Sequence, residues 1–288
     1  MTALRVATRG SQQALTQARA VATAIAAAHP ALQVELVTIE TTGDRRTDVP
    51  LHSIGGQGVF VKEVQQAVLD GRADVAVHSA KDLPSIPTIG LRVGAWCARR
   101  DPRDVLVGST LVDLAVGATV ASGSVRRRAQ LAELRPDLQF VELRGNIATR
   151  LTKVPDGGAI VMAAAALEIL GLTDRVAQVL EPDVMVPAVG QGVVAVEHRD
   201  DDSDTASLVR AIDHAPSRHA VEVERAFLAE LGSGCSLPVG GYCDGATLRV
   251  FLAGERTVAR RTIDMTGAPT DALAAASLAR ELHAEVTA

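Results

Sequence analysis

The sequence predicts an α/β protein with two similar α/β lobes that face each other across a cleft, followed by a small α+β domain. In the first two thirds of the chain, short apolar runs alternate with segments of helical periodicity, which is typical of parallel sheets covered by helices. The runs VAV and IVMAAAA are apolar throughout, as expected for strands that are buried on both faces. Beyond residue 240, apolar and polar residues alternate, which favours antiparallel strands.

The elements of the first lobe follow one another in strand and helix order. Strands are predicted at residues 4–8, 34–39 and 74–78, and helices at residues 11–28 and 61–70. Ser11 is a suitable N-cap for the first helix, and His29 followed by Pro30 ends it. A glycine-rich loop at residues 55–58 is interpreted as a mobile lid, because it lacks the full dinucleotide-binding pattern.

The strand and helix order restarts beyond the sequence DPRD at residues 101–104, which is interpreted as a domain boundary. Strands are predicted at residues 119–121, 140–143 and 159–163, and helices at 126–135 and 147–154. An extended segment is predicted at residues 185–196, interrupted at residues 190–192 by the sequence GQG. The tail is predicted as a helix at 218–231, antiparallel strands within 242–264 and a helix at 270–286. The predicted domains are residues 1–97 with 193–211, residues 98–192, and residues 212–288.

Composition narrows the classes of function. The chain has 288 residues, of which 47% are hydrophobic and 2% aromatic, and its net charge is −5. The hydrophobic content supports buried cores, whereas the acidic balance and the scarcity of aromatic rings argue against a nucleic-acid-binding protein. The longest apolar run, at residues 159–167, is too short to cross a bilayer, and the first residues lack a signal-peptide pattern. We therefore expect a cytoplasmic protein without membrane or nucleic-acid partners.

The three cysteines show no C-x-x-C spacing, and no spacing of His, Asp or Glu indicates a metal site. Cys97 and Cys243 lie in strand-like apolar patterns and are predicted core residues. Cys235 lies in the glycine-studded segment GSGCSLPVG, which leaves its thiol reachable. Cys235 is therefore a candidate nucleophile or attachment point, with a small buried side chain as the remaining alternative.

Cationic and polar side chains follow several of the predicted strands. Ligands of open parallel sheets bind at the carboxyl ends of the strands, where helix N-termini also favour anions. The residues concerned are Arg9, Ser11, Lys81, Ser124, Arg126, Arg127, Arg144 and Arg150. Because the planar fork of arginine suits carboxylates, their common placement predicts a site for a multiply charged carboxylic acid. Taken singly, each arginine also fits an exposed surface position, and Ser11 fits a simple helix cap.

Asp82 stands beside Lys81 at the end of the strand predicted at residues 74–78. In a cleft, a carboxylate at this position is suited to act as a general acid or to stabilise a developing positive charge. The alternative is a loop ion pair between the two residues, which would stabilise the fold only slightly.

Taken together and in order, several motifs resemble the porphobilinogen deaminase (hydroxymethylbilane synthase) family. The matching stretches are ATRGSQQAL, TTGDRRTDVPL, GGQGVFVKE, ADVAVHSAKDLP, DPRDVLV, SGSVRRRAQL, LRGNIATRL, VPAVGQG and SGCSLPVG. They extend from residue 4 to about residue 240 in the order of the family.

The resemblance implies a fold of two periplasmic-binding-protein-like (type II) α/β lobes and a small C-terminal α+β domain. It implies a transferase of porphyrin and heme biosynthesis, typically monomeric, that condenses four porphobilinogen molecules head to tail, releases ammonia and yields hydroxymethylbilane. A dipyrromethane cofactor would be attached by a thioether to Cys235, with Asp82 as the catalytic aspartate. The acetate and propionate side chains of cofactor and substrate would be bound by Arg9, Ser11, Lys81, Ser124, Arg126, Arg127, Arg144 and Arg150, with Gln191 near the cleft.

Three positions depart from the pattern of the family. Ile169 stands where the family usually has arginine, Gln57 where lysine is common, and Thr42 where arginine is common. Glu168 adds a negative charge next to the first of these positions. The departures keep two alternatives open: a two-lobed polycarboxylate-binding protein without catalysis, and a degenerate paralogue that assembles the cofactor but elongates slowly.

Overall fold

The computed structural model describes residues 3–41, 61–232 and 238–287. Its first lobe is built on a five-stranded sheet in the order β2-β1-β3-β10-β4. The strands are β1 (Ala3–Arg9), β2 (Gln33–Ile39), β3 (Val75–Ser79), β4 (Leu91–Trp96) and β10 (Val194–Arg199). The strands β1, β2 and β3 are parallel, whereas β10 runs antiparallel to both β3 and β4.

Three helices accompany the first sheet. They are α1 (Gln12–Ala28), α2 (Lys62–Leu69) and α6 (Ser203–Arg210). The hydroxyl of Ser11 accepts a hydrogen bond from the backbone N–H of Ala14, which confirms the predicted N-cap. The buried residues of α1 are Gln17, Ala18, Val21 and Ile25, a helical spacing that turns one face of the helix towards the sheet.

The second lobe repeats this arrangement with its own five strands, in the order β7-β6-β8-β5-β9. The strands are β5 (Asp104–Val107), β6 (Thr119–Ala121), β7 (Gln139–Val141), β8 (Ala159–Ala163) and β9 (Gln178–Leu180). The helices are α3 (Val125–Leu134), α4 (Ile147–Leu151) and α5 (Ala164–Ile169). Here β5 is the strand that runs antiparallel to both of its neighbours.

The antiparallel strand of each sheet follows a passage of the chain between the lobes. After β4 the chain enters the second lobe as β5, and after β9 it returns to the first sheet as β10. This shared topology confirms the predicted fold class of two type II periplasmic-binding-protein-like lobes. The limits of the three domains stay a prediction, which the membership of β10 in the first sheet supports.

The last part of the described chain is a three-stranded antiparallel sheet packed against two helices. The elements are α7 (Ala215–Glu230), β11 (Val239–Cys243), β12 (Thr247–Ala253), β13 (Val258–Asp264) and α8 (Asp271–Thr287). Buried Phe227, Leu248, Leu252 and Leu282 join the helices to the sheet in one core. The predicted small α+β domain is therefore confirmed. None of the described helices is both long and apolar enough to cross a lipid bilayer.

The interruption predicted at residues 190–192 of the extended segment 185–196 is confirmed, because residues 189–192 form turns, whereas residues 185–188 are not part of a strand. The strand begins only at Val194, and two preceding glycines, Gly190 and Gly192, have φ values of +72° and +87°. A Cβ at Gly192 would lie 2.6 Å from the carbonyl oxygen of Arg100. The left-handed glycines break the strand here, because the chain must turn as it passes back between the lobes.

Candidate functional site

The carboxyl ends of β1 and β3 supply one side of the candidate site. Arg9 is the last residue of β1, and the segment after β3 forms a short 3-10 turn over Ala80–Asp82. Because the two strands are neighbours in the sheet, their ends meet. A cavity there is lined by Arg9, Ser11, Gln13, Ala14, Gln17, Val61, Val77, His78, Ser79 and Asp82. The structure therefore brings Asp82 to the same cavity as Arg9 and Ser11, which lie far from it in the sequence.

The second lobe contributes two arginines in the first turn of α3. The hydroxyl of Ser124 caps this helix by accepting a hydrogen bond from the backbone N–H of Arg127. Both Arg126 and Arg127 are buried, and each pairs with Asp104 at 2.7 Å. The positive charge of the two guanidiniums outweighs the effect of burial and holds the pKa of Asp104 far below its usual range. One buried carboxylate thus forms ion pairs with two buried guanidinium groups.

Arg126 also forms a hydrogen bond with the segment of the chain that returns to the first lobe. Its Nη1 donates to the carbonyl oxygen of Val186 at 2.6 Å. Gln130, one turn further along α3, donates to the same oxygen at 3.0 Å and accepts the N–H of Val186 at 2.8 Å. The beginning of α3 is therefore fixed to the connecting segment between the lobes.

Gln191 joins the two lobes through hydrogen bonds on both sides. Lys81 Nζ donates to its Oε1 at 3.3 Å from the first lobe. Its Nε2 donates to Asp104 Oδ1 at 2.9 Å and to the carbonyl oxygen of Pro102 at 2.7 Å. The connecting glutamine thus links the residue next to Asp82 with the carboxylate that holds Arg126 and Arg127.

Arg144 and Arg150 lie on either side of the N-cap of α4: Arg144 precedes the helix, and Arg150 lies in its last turn. Asn146 caps this helix, and Arg150 Nε donates to the carbonyl oxygen of Gly145 at 2.8 Å. Burial, together with the positive charges of Arg127 and Arg144, lowers the pKa of Arg150 to about 10, although Asp82 opposes the shift. Arg150 therefore interacts electrostatically with residues from both lobes, namely Asp82 of the first and Arg127 of the second.

The pKa of Lys81 is lowered for similar reasons. Burial and the charges of Arg127 and Arg126 lower its pKa from 10.5 to about 8, against the opposing effect of Asp82 and Asp104. Lys81 and Arg150 therefore bind a proton less tightly in this cleft than they would in water. Such a cleft favours anionic ligands, since each bound carboxylate would offset this repulsion.

Some residues of the same motifs serve other contacts. Arg128, the third arginine of the run, pairs with Glu142 at 2.6 Å and donates to the carbonyl oxygen of Ser122. Glu168, beside Ile169, pairs with Arg100 at 2.7 Å, with both side chains about two-fifths exposed. The roles proposed for Cys235, Gln57 and Thr42 fall outside the described residues.

The sequence reasoning missed two members of this constellation. Asp104 was interpreted only as part of a boundary, although a carboxylate that begins the apolar run DVLV was a usable signal for a buried charge pair. Gln17 was not singled out, yet its Oε1 accepts a hydrogen bond from Ser79 Oγ at 3.1 Å. A glutamine in an alanine-rich helix carries no comparable signal.

Comparisons with known proteins matched nearly the whole chain. The family model of the porphobilinogen deaminase dipyromethane cofactor binding domain matches residues 4–207, and that of the C-terminal domain matches residues 219–283. The porphobilinogen deaminase of Nitratidesulfovibrio vulgaris is 43% identical over 300 residues, covering 100% of this chain and 94% of that protein. That of Roseiflexus sp. (strain RS-1) is 49% identical over 242 residues, covering 82% of this chain and 80% of that protein.

Solved structures of other families were also similar. The BenM effector binding domain with its effector benzoate is 16% identical, with a TM-score of 0.44, and the match covers 73% of this chain and 90% of that one. The family assignment depends instead on the sequence matches, which extend over nearly the whole chain and include every motif of the cleft. The chain belongs to the porphobilinogen deaminase family.

Proposed function

We propose that this chain is a hydroxymethylbilane synthase, which condenses four porphobilinogen molecules head to tail and releases one ammonia at each step. The observation that carries the proposal is that cations of both lobes meet, since Gln191 joins Lys81 to Asp104, the carboxylate that pairs with buried Arg126 and Arg127. Each pyrrole ring of the substrate brings an acetate and a propionate. A growing chain therefore needs several cations in one place, and this cleft offers them.

The residues present fit a dipyrromethane cofactor. The matched family model describes a dipyromethane cofactor binding domain, and the carboxylates of such a group would offset the repulsion among the buried cations. We propose that Cys235 forms the thioether. The carboxylates of cofactor and substrate would be bound by Arg9, Ser11, Lys81, Ser124, Arg126, Arg127, Arg144 and Arg150. When bound, the cofactor supplies the pyrrole carbon to which the first substrate is joined.

Asp82 is proposed as the catalytic carboxylate. When ammonia leaves the substrate, the C–N bond breaks, the electron pair stays with nitrogen, and the remaining methylene pyrrole is positively charged. At the cavity wall, the Asp82 side chain can stabilise this charge in its carboxylate form, or deliver the proton that the leaving amine requires in its protonated form. Gln191 is proposed to keep the neighbouring Lys81 aligned, supported by its hydrogen bonds to both lobes.

The remaining features of the assignment are proposals on the same basis. We propose a cytoplasmic monomer of heme biosynthesis, with a small-molecule substrate and without a nucleic-acid or membrane partner. We also propose that residues 1–97 with 193–211, 98–192 and 212–288 act as three domains, because the chain passes between the lobes near residues 97–103 and 181–193.

The proposal is tested by supplying porphobilinogen to the purified holoenzyme. Ammonia should appear in a one-to-one ratio to porphobilinogen consumed, and one linear tetrapyrrole should form for every four substrates. Cyclisation and oxidation of that product would give uroporphyrin fluorescence, with heat-inactivated enzyme as the control. Reversible substrate binding without ammonia would instead support the polycarboxylate-binding alternative, and a cofactor-bearing enzyme that barely elongates would support the degenerate paralogue.

The lowered pKa of Lys81 gives a pH dependence with a defined sign. Its side chain is charged below its pKa of about 8 and loses the charge as the pH rises through that value. A charge-assisted hydrogen bond contributes about 1.5–3 kcal/mol, so KM for porphobilinogen should rise roughly tenfold between pH 7 and pH 9.5. The Lys81→Arg variant stays charged and should show a much flatter profile. Identical profiles for both proteins would remove Lys81 from substrate binding.

A further inference from the structure

A buried pair of ionisable residues, His78 and Glu197, lies under the turn that carries Asp82, and the proposed chemistry does not use it. On the adjacent antiparallel strands β3 and β10, His78 faces Ala195 and Glu197 faces Ala76. The two side chains are therefore diagonal neighbours on one face of the sheet. His78 Nε2 lies 3.2 Å from Glu197 Oε2, and the side chains are 2% and 5% exposed.

Glu197 is the centre of a wider polar network in this core. Gln65 of α2 donates from Nε2 to Glu197 Oε2 at 2.8 Å, and Thr88 Oγ1 donates to Gln65 Oε1 at 3.0 Å. Burial by itself would raise the pKa of Glu197. His78, Gln65 and the positive charge of Arg225 outweigh burial and hold that pKa below its ordinary value. The carboxylate is therefore both buried and charged.

The network reaches the Asp82 turn from both sides. His78 immediately precedes Ser79, whose backbone leads into the turn, and it lines the same cavity as Asp82. Beyond the turn, Arg225 Nη2 donates to the carbonyl oxygen of Pro84 at 2.8 Å. Arg225 belongs to α7, the helix that precedes Cys235 in the sequence, so the network also links the turn to the third domain.

Stability alone is a poor reason for a buried carboxylate beside an imidazole at this position. The surrounding core is apolar, with Val61, Leu83, Trp96 and Ala195 among its buried members. A buried ion pair usually stabilises a fold no better than apolar residues of similar size. By contrast, buried ionisable groups beside a cleft are frequent where a reactive side chain has to be held in a fixed place.

We propose that Glu197 is a positioning residue for the reaction: through its contact with His78, it holds the end of the strand that leads into the turn presenting Asp82. This inference rests on the proposed function. A displacement of about 1 Å at a reacting group is enough to lower turnover strongly, up to about 10²-fold. The effect should therefore appear in kcat, while the residues that bind the substrate carboxylates are untouched.

The test compares Glu197→Gln and His78→Gln with a matched control. The third domain holds a similar pair, in which His219 Nε2 lies 3.2 Å from Asp271 Oδ2, and His219→Gln serves as the control. Thermal unfolding and intact mass establish that each holoenzyme is folded and carries its cofactor. Both test variants should lose about tenfold or more in kcat with KM within about twofold of wild type. The control should match wild type in both quantities.

Each result decides the question. A wild-type enzyme without turnover would refute the proposed function itself. If wild type is active, folded test variants with a kcat within twofold of it would overturn the positioning role. An increase in KM alone would assign the pair to substrate binding instead. Failure of both test variants to fold would also overturn the proposal, since the pair would then belong to the framework of the fold.

Discussion

Replacing Asp82 with alanine should lower turnover by about 10²–10⁴-fold and leave the protein folded, since this range is typical for the loss of one acid–base group. Asp82 is only partly buried, at the end of a turn whose backbone is fixed by a hydrogen bond from Ala80 N–H to the carbonyl oxygen of Val193. Removal of the carboxylate leaves that hydrogen bond in place. The loss should therefore concern the chemistry rather than the fold.

A second substitution separates charge from shape at the same position. Asp82→Asn keeps the size of the side chain but removes its negative charge, so it should lose nearly as much activity as alanine if the carboxylate stabilises a cation. KM should change far less than kcat, because the substrate carboxylates are proposed to bind to the cations and not to Asp82. Steady-state kinetics with porphobilinogen, together with circular dichroism, measure both effects.

The control is an aspartate of similar local structure outside the cleft. Asp174 lies in another 3-10 turn, is exposed, and belongs to the second lobe. Asp174→Ala should keep wild-type turnover. If Asp82→Ala retained more than about a tenth of wild-type kcat, the catalytic role would belong to another group, given the usual range for such substitutions.

Replacing Cys235 with serine should abolish turnover and leave a protein with the mass of the bare polypeptide. The wild-type protein, expressed in a host that makes porphobilinogen, should be heavier than its sequence by a two-pyrrole unit. A serine hydroxyl is a much weaker nucleophile than a thiolate, so no stable attachment is expected at that position. Intact-mass spectrometry of both proteins gives the result directly.

The other two cysteines provide the comparison. Burial raises the pKa of Cys97 to about 11 and also raises that of Cys243, so both thiols stay protonated near neutral pH and are poor nucleophiles. Cys97 is partly buried beside the core of the first lobe, and Cys97→Ser should keep both the added mass and the activity. An added mass that persists in Cys235→Ser, or disappears in Cys97→Ser, would assign the attachment to a different residue.

Much of the fold followed from local patterns. The strands at residues 119–121 and 159–163 were predicted with the bounds that the structure shows, and Ser11 was recognised as a helix cap. Periodicity and capping act over a few residues, so the sequence expresses them directly. The short strands β4, β5 and β9 and the helix α6 were not predicted, because they are too short or too irregular to show a period.

The motifs also indicated a chemical class of ligand and a family. Cations after strand ends predicted a polycarboxylate site, and the order of the motifs indicated the family that the comparisons then showed. The sequence did not indicate that Asp104 would stand between Arg126 and Arg127, or that Gln191 would join Asp104 to Lys81. These contacts connect residues that are distant along the chain.

By itself, the sequence determined the α/β class, most of the elements and the kinds of side chain that are proposed to bind an anionic ligand. Only the tertiary structure decided which charges face one another, how far the pKa of Lys81 falls, and that Glu197 lies charged beneath the Asp82 turn. The physical reason is that charge interactions depend on distance and burial. Both are set here by the passages of the chain between the lobes, the second of which brings β10 into a sheet built otherwise from residues 3–96.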